Sequence, residues 1–199
     1  MLFASAREVV RSVKDLCSLP DIYLQLQKLL QDPHVVLDDI ARVISQDPAL
    51  SARLLRIVNS PVYGFQSHID TLPRAIIVVG LEDLQHLVLA TTVMDRFDSL
   101  PAEWVDMTAF WMRSVHCALL CKRLANSSAA LHADRLFLAG LLHDVGSLAI
   151  YQTMPDQALR VLRATNHDRR LLIGVEQTLI GFTHAEVGRE LLKSWGLPE

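Results

Sequence analysis

Apolar residues recur at intervals of three and four along almost the whole chain, which is the spacing of one face of an α-helix. The first such run consists of Ile22, Leu26, Leu29 and Leu30. Helix-start signals separate the runs: Asp47-Pro48 predicts an N-cap followed by proline in the first turn. Thr183 and Glu186 have the spacing of a capping box. Since no stretch alternates convincingly with a period of two, the pattern predicts an all-α fold.

The periodic runs and their breaks also predict the boundaries of the elements. Helices are expected over about 21–31, 37–44, 48–58, 72–79, 81–94, 103–126, 133–144, 148–153, from about 155, over 171–179 and after 183. The break at Asp98–Pro101 predicts a two-lobed helical bundle. We therefore expect a lead-in helix within 1–18, an N-terminal lobe over about 19–98 and a second lobe over about 102–199, the two lobes forming one unit.

Composition and charge narrow the class of protein. Of the 199 residues, 51% are hydrophobic, and 19 basic residues against 22 acidic ones give a net charge of −3. This balance excludes general disorder and does not favour non-specific binding to nucleic acid. No apolar stretch approaches the roughly 20 residues of a spanning helix, and the N-terminus does not resemble a secretion signal. Three sparse cysteines (Cys17, Cys117, Cys121) suit a reducing compartment. We expect a cytoplasmic protein without membrane contact.

The adjacent pair His143-Asp144 is the first candidate for chemistry. One nitrogen and one carboxylate can contribute to a divalent metal site, but consecutive helical residues diverge by about 100°, so other helices must complete the site. His184 is the natural third ligand, and His116 is a further candidate. The alternative is that His143 and Asp144 simply end a helix. Cys117 and Cys121, although one helical turn apart, are interpreted as buried thiols.

Residues 37–59 have the rhythm of a helix-turn-helix, with the turn at Gln46-Asp47-Pro48. A DNA-reading helix would normally be accompanied by more basic residues, and the acidic residues of this segment oppose binding to phosphate. Structural packing of the two helices is therefore favoured. A DNA-binding regulator would instead show steep, salt-dependent binding to a duplex.

Two sets of spaced motifs together resemble the HDOD domain, an HD-related output domain of bacterial signal-transduction proteins. The first set runs from Asp47 to Gly64 (DPALSARLLRIVNSPVYG) and continues at Arg74-Ala75-Ile76 and Val79-Gly80-Leu81. The second set comprises Phe110–Ser114 (FWMRS), Leu138–Gly146 (LAGLLHDVG), Glu176, His184–Gly188 (HAEVG) and Trp195–Pro198 (WGLP). The motifs occur in the family's order from about Leu19 to the C-terminus. The resemblance implies a C-terminal half similar to metal-dependent HD phosphohydrolases.

The same resemblance assigns positions at the site. His143, Asp144 and His184 match their motif positions, whereas Arg113 stands where active relatives have a histidine, and Ser147 stands where HD-GYP enzymes have a lysine. An arginine cannot ligate a metal and repels it. The chain also stops where a further helix with histidines is expected, which suggests a C-terminal truncation. We therefore expect no catalytic residue and no cofactor. If a metal such as iron, manganese or zinc is bound, its ligands are His143, Asp144 and His184.

The resulting hypothesis is a non-catalytic regulatory module that contacts a protein partner or a fused signalling domain, and for which nucleic acid is not expected. Its recognition surfaces are predicted to be the groove between the lobes and a pocket formed by Arg113, His143, Asp144 and His184. In that pocket Arg113 can hold a carboxylate or a phosphate. The competing hypothesis is a degenerate HD phosphohydrolase that uses a divalent metal.

Overall fold

The computed structural model describes residues 3–13, 19–97, 99–127, 132–166 and 168–197. Twelve α-helices lie within these residues: α1 Ala6–Ser12, α2 Asp21–Leu29, α3 Leu37–Ser45, α4 Pro48–Val58, α5 Leu72–Val79, α6 Leu81–Asp95, α7 Met107–Asn126, α8 Ala133–Leu142, α9 Val145–Thr153, α10 Pro155–Thr165, α11 Leu172–Leu179 and α12 His184–Ser194. A short 3-10 helix occupies Arg169–Leu171. Because the described residues contain no β-strand, the all-α prediction is confirmed.

The helices form two compact units that do not follow chain order. The first unit comprises Met1–Ser18, Arg96–Ser114 and Leu142–Glu199, and the second comprises Leu19–Asp95 and Val115–Leu141. The sequence predicted contiguous lobes over about 19–98 and 102–199, so the difference concerns residues 115–141, which cluster with the N-terminal helices. Asp98, at the predicted break, lies outside the described residues, as do Cys17 and the last two residues of the chain.

Contacts among α6, α7 and α8 explain why residues 115–141 belong to the second unit. The Lys122 ammonium of α7 donates to Asp83 of α6 at 2.8 Å and to Asp134 of α8 at 3.1 Å. A Cβ at Gly140 would lie 2.8 Å from the Cα of Ala118, so α8 approaches the α7 backbone at a distance that only glycine permits. These interactions connect residues far apart in sequence, and no local pattern in the sequence indicates them.

In the second unit, α3 and α4 lie within one residue of their predicted boundaries, and they pack against each other and against other helices of the unit. The Asp47 carboxylate caps α4 by accepting the Leu50 N–H at 3.0 Å, as predicted. Three polar residues in or next to α4, which a DNA-binding helix would direct towards the duplex, instead bond to other residues of the second unit. Ser51 donates to the carbonyl of Asp47, Arg53 forms an ion pair with Asp95, and Asn59 bonds both the N–H and the carbonyl of Ile69. These contacts favour the structural interpretation of residues 37–59.

In the first unit, α9 is the central helix. It is buried from Val145 to Tyr151, and α12, α1 and α10 pack against it. The backbone of Gly146 lies against α12 so closely that an added Cβ would come within 2.0 Å of the His184 carbonyl oxygen. This contact fixes the position of the N-terminus of α12 relative to the beginning of α9, where Asp144 is located.

Some helix boundaries differ from the sequence prediction, most clearly at the start of α7 and around His143 and Asp144. The long helix α7 begins at Met107 and not near 103, because the Asp106 carboxylate accepts the Ala109 N–H at 3.0 Å and so acts as an N-terminal cap. The helix predicted over 133–144 ends at Leu142, and α9 already begins at Val145. His143 and Asp144 therefore form the turn between two helices.

Across the described residues, no single helix has both the length and the apolar character required to cross a bilayer. Only α5 and α6 taken together pass by length and composition, and this pair is bent by 115°.

Candidate functional site

His143 and Asp144 occupy the turn between α8 and α9, where they have very different environments. Asp144 is 2% exposed, whereas His143 is exposed to solvent. The turn directs the two side chains apart, as expected for adjacent residues near helix ends. The candidate site is therefore built around Asp144, and His143 lies at its surface.

Three side chains surround the Asp144 carboxylate. The Arg169 guanidinium forms an ion pair with Oδ2, and the Ser147 hydroxyl donates to Oδ1 at 3.1 Å. His184 Nε2 lies 3.6 Å from Oδ1. Burial raises the pKa of Asp144, but the positive charges of Arg169, His184 and His143 outweigh this effect and hold the pKa below its ordinary value. The carboxylate is thus maintained in its charged form inside the unit.

Glu176 of α11 orients the His184 ring. Its Oε2 accepts the backbone N–H of His184 at 2.8 Å and lies 2.7 Å from ring Nδ1. Since an ionised carboxylate can only accept, Nδ1 carries the proton and Nε2 faces Asp144. Burial lowers the pKa of His184, but the hydrogen bond and charge of Glu176, together with Asp144, raise it above its ordinary value overall. The Thr183–Glu186 capping box, as predicted, fixes the start of α12 beside this ring.

Arg113 lies on the part of α7 that belongs to the first unit. Its guanidinium carbon lies 5.7 Å from the centre of the Phe110 ring, and it forms no hydrogen bond or ion pair with any described residue. Burial and the positive charge of Arg169 lower the pKa of Arg113, with Asp144 acting in the opposite direction. Two guanidinium groups therefore lie near each other, and only Arg169 is paired with a carboxylate.

A cavity of about 190 Å³ opens beside these two arginines. The described residues that line it are Trp104, Val105, Asp106, Phe110, Arg113, Tyr151, Leu162, Thr165, Asp168, Arg169 and Leu172. Of the four predicted site residues, Arg113 lines the cavity. Asp144 does not line the cavity but pairs with Arg169, which does, and His184 lies beside Asp144. His143 is not among the lining residues. The further candidate His116 belongs to the second unit.

Two arginines make the surroundings of Asp144 positively charged. Within the described part of the chain, no three His, Cys, Asp or Glu side chains converge in a way that would hold one. The geometry gives the physical reason, since the fixed positive charge of Arg169 occupies one oxygen of Asp144 and Arg113 adds a second cation nearby.

Sequence reasoning did not identify Arg169 as part of the site. It lies in a short 3-10 helix, 25 residues after Asp144, and no motif marks it. Glu176 was recognised as a motif residue without a role, and its contact with His184 supplies one. Trp104 and Tyr151 line the cavity without any sequence signal beyond their size.

An all-helical unit in which the buried aspartate of a His-Asp turn faces a histidine at the start of a later helix has the arrangement that the motifs of an HD-related domain imply. The HDOD domain family model matches residues 16–199, and the chain belongs to this family. The solved structure of an HDOD domain protein of unknown function from Geobacter sulfurreducens is 30% identical with a TM-score of 0.73, covering 97% of this chain and 64% of that one.

Two further proteins are similar to this chain, one in structure and sequence and the other in sequence. A protein from Shewanella amazonensis SB2B, whose name describes it provisionally as a phosphohydrolase, is 27% identical with a TM-score of 0.72, covering 98% of this chain and 68% of its own. An uncharacterized protein from Treponema pallidum (strain Nichols) is 29% identical over 197 residues. This alignment covers 98% of the present chain but only 37% of the length of the Treponema protein.

Glu176→Gln is expected to lower the free energy of unfolding, and the loss relative to the wild type is expected to be larger at mildly acidic pH than at alkaline pH. The raised pKa of His184 contributes stability that is present below its ordinary value and is lost as pH rises through the folded value. Without the Glu176 charge, burial of His184 opposes protonation, so the deficit of the variant grows as pH falls from about 9 to about 6, to the order of 1 kcal/mol. Thermal unfolding against pH and an NMR titration of the His184 ring measure both effects.

Glu190→Gln is the matched control for this experiment. Glu190 lies on the same helix α12 and pairs with Arg7 at 3.1 Å. Its removal is expected to change stability little and without the same pH dependence. An equal pH profile for the two variants would contradict the assigned role of Glu176.

Proposed function

We propose that this chain is a non-catalytic regulatory module of signal transduction that acts by contact with a protein partner or a signalling domain joined to it. The observation that carries this proposal is the ion pair between Arg169 and the buried Asp144. In the metal-dependent HD phosphohydrolases that the C-terminal half resembles, the carboxylate at this motif position is expected to be a metal ligand. Here it is held by an arginine of the same chain.

The charges around the site support the same conclusion. Arg113 stands at the position where the resemblance to active relatives requires a histidine. A guanidinium remains protonated in proteins and presents no lone pair to a metal. Two arginines near one carboxylate produce a site that suits an anionic group better than a divalent cation.

The family supports a modular role. The resemblance described above implies that HDOD domains are output domains of signalling proteins. The match covers only 37% of the Treponema protein, so in that protein the matching region is one part of a longer chain. His143 and Arg113 are both exposed and offer polar groups at the surface of the first unit. We assign these two side chains to the recognition surface, with Asp144 and His184 as the buried support.

A metal-dependent phosphohydrolase is the second candidate, and one observation favours it. Glu176 holds His184 so that Nε2 faces Asp144, which is how a carboxylate commonly orients a metal-binding histidine. The name of the Shewanella protein points to the same activity for that relative.

Metal analysis and a phosphodiesterase assay distinguish the two candidates. The purified protein, supplied with iron, manganese or zinc, is expected to hold no stoichiometric metal after gel filtration and to leave bis-p-nitrophenyl phosphate intact. Stoichiometric metal together with hydrolysis that His184→Ala abolishes would establish the enzyme and overturn the regulatory proposal.

A pull-down from the native host tests the contact itself. The wild-type chain is expected to retain a defined protein that is lost with Arg113→Ala or His143→Ala. Arg160→Ala is the matched control, because Arg160 is an exposed arginine of α10 that does not line the cavity. Retention of the same protein by all variants, or by none of the chains, would count against this recognition surface.

A further inference from the structure

We propose that Arg113 and Arg169 form a binding site for a small anionic group, a carboxylate or a phosphate, in the cavity of the first unit. This deepens the proposed function by naming what the site recognises, and it rests on that function only for the role of the bound group. Arg169 is assigned by the structure alone, since no sequence motif marks it.

The unpaired state of Arg113 is the main observation. Arg113 forms no hydrogen bond or ion pair with any described residue, although a guanidinium has five N–H donors in a planar fork. Among the residues that the structure describes, its guanidinium carbon contacts the Phe110 ring, 5.7 Å from the ring centre, and no described acceptor takes up its N–H donors. A planar carboxylate or a phosphate matches that edge with two parallel hydrogen bonds.

The second cation reinforces the same preference. Arg169 lines the cavity with a 43% exposed side chain, although its guanidinium also contacts the buried Asp144. Arg113 and Arg169 line the same cavity, and the positive charge of Arg169 lowers the pKa of Arg113. An anion placed between them would relieve this repulsion and gain charge-assisted hydrogen bonds from both.

The two acidic side chains that line the cavity bond to other groups and do not pair with Arg113. Asp168 is held by its neighbour Arg170 in a two-oxygen contact at 2.7–3.2 Å. The Asp106 carboxylate caps α7 by accepting the Ala109 N–H at 3.0 Å. Both acids oppose an incoming anion to some extent, so binding is expected to be weak, in the millimolar range (~1 mM, or about −4 kcal/mol).

The size of the cavity limits the ligand. Its volume of about 190 Å³ lies below the roughly 300–1,000 Å³ typical of sites for drug-sized molecules. The aromatic side chains of Trp104, Phe110 and Tyr151 form part of its wall. A phosphate ion, a small carboxylate or one acidic side chain fits this volume.

The test is an NMR titration of the whole chain at constant ionic strength, with inorganic phosphate in one arm and N-acetylglutamate N-methylamide in the other. Saturable shifts are expected around Arg113 and Trp104, with sodium chloride as the reference salt. Saturation by phosphate alone identifies a phosphate group, and saturation by the glutamate mimic alone identifies an acidic side chain. Saturation by neither overturns the proposal.

Three variants make the result specific. Arg113→Gln is expected to weaken binding by about tenfold or more, and Arg113→Lys by less, because lysine keeps the charge but loses the fork. Arg160→Gln should bind as the wild type does. Equal binding by Arg113→Gln and the wild type, with both chains folded by circular dichroism, would show general ion association and overturn the site.

The outcome is separable from that of the proposed function. If no anion binds but a protein is still retained in an Arg113-dependent manner, the anion site fails and the regulatory contact stands. If anions bind and no protein is retained, the anion site stands and the proposed regulatory contact fails.

Discussion

Gly146→Ala is expected to destabilise the first unit by about 3 kcal/mol, because the new methyl group has no space at the contact between α9 and α12. An ideal Cβ would lie 2.0 Å from the His184 carbonyl oxygen and 2.5 Å from the Gly188 nitrogen. Both atoms belong to backbone, so no side-chain rotation relieves the clash and α12 itself must move. A loss of this size corresponds to a decrease of roughly 10 °C in Tm for a chain of this length, measurable by thermal unfolding.

Gly174→Ala provides the matched control. Gly174 lies in α11 of the same unit, and a Cβ there would meet nothing within 4 Å. Alanine is a better helix former than glycine, so the expected change is neutral or stabilising by up to about 1 kcal/mol. If both substitutions destabilised the protein equally, the close approach at Gly146 would not be the cause.

The same substitution at Gly146 carries a second readout at the site. His184 opens α12, and its Nε2 lies 3.6 Å from Asp144 at the start of α9. A displacement of α12 would change this distance and weaken the effect of Asp144 on the His184 ring. The NMR titration curve of His184 should therefore shift in Gly146→Ala and stay in place in Gly174→Ala.

Arg169→Gln is expected to have the second largest effect, a loss of about 2 kcal/mol in the free energy of unfolding at neutral pH. Removing one partner of a fully buried ion pair typically costs about 3–5 kcal/mol. The Arg169 side chain is 43% exposed, so water already screens part of its interaction with the 2% exposed Asp144. Urea-induced unfolding at pH 7 measures the loss.

The pH dependence of this loss follows from the lowered pKa of Asp144. A carboxyl group with a depressed folded pKa contributes stability above its ordinary pKa, and this contribution is lost as pH falls through the folded value. Arg169→Gln removes the main cause of the depression. The deficit of the variant should therefore be largest near neutral pH and shrink once pH falls below about 4, the ordinary pKa of aspartate.

Two further variants separate the buried pair from general loss of surface charge. Arg170→Gln removes an adjacent exposed arginine that pairs with Asp168, and its urea-induced unfolding should closely follow that of the wild type, because water screens this pair. Asp144→Asn combined with Arg169→Gln should recover part of the lost stability, since no buried charge then remains unpaired. Strict additivity of the two single losses would mean that the side chains do not interact.

Much of the helical architecture was predictable because its causes are local. The Asp47 cap, the proline after it and the Thr183–Glu186 capping box act within one turn of the residues they organise. The same rule applied to Asp106 would have placed the start of α7 correctly, because its carboxylate caps the helix in the same way. The error at that boundary came from an overlooked cap and not from any long-range effect.

The sequence by itself determined the all-α class, the main helices and the HDOD family. Each depends on periodicity, capping or ordered motifs. The sequence also predicted one pocket formed by Arg113, His143, Asp144 and His184, and in the structure His184 Nε2 lies 3.6 Å from Asp144 Oδ1. Only the tertiary structure decided that Arg169 would pair with Asp144 and that Arg113 would stand at a cavity wall without an ion pair to any described residue. The physical reason is distance along the chain, since Arg169 reaches Asp144 through the packing of α9, α10 and α11, and no local pattern encodes which charges packing brings together.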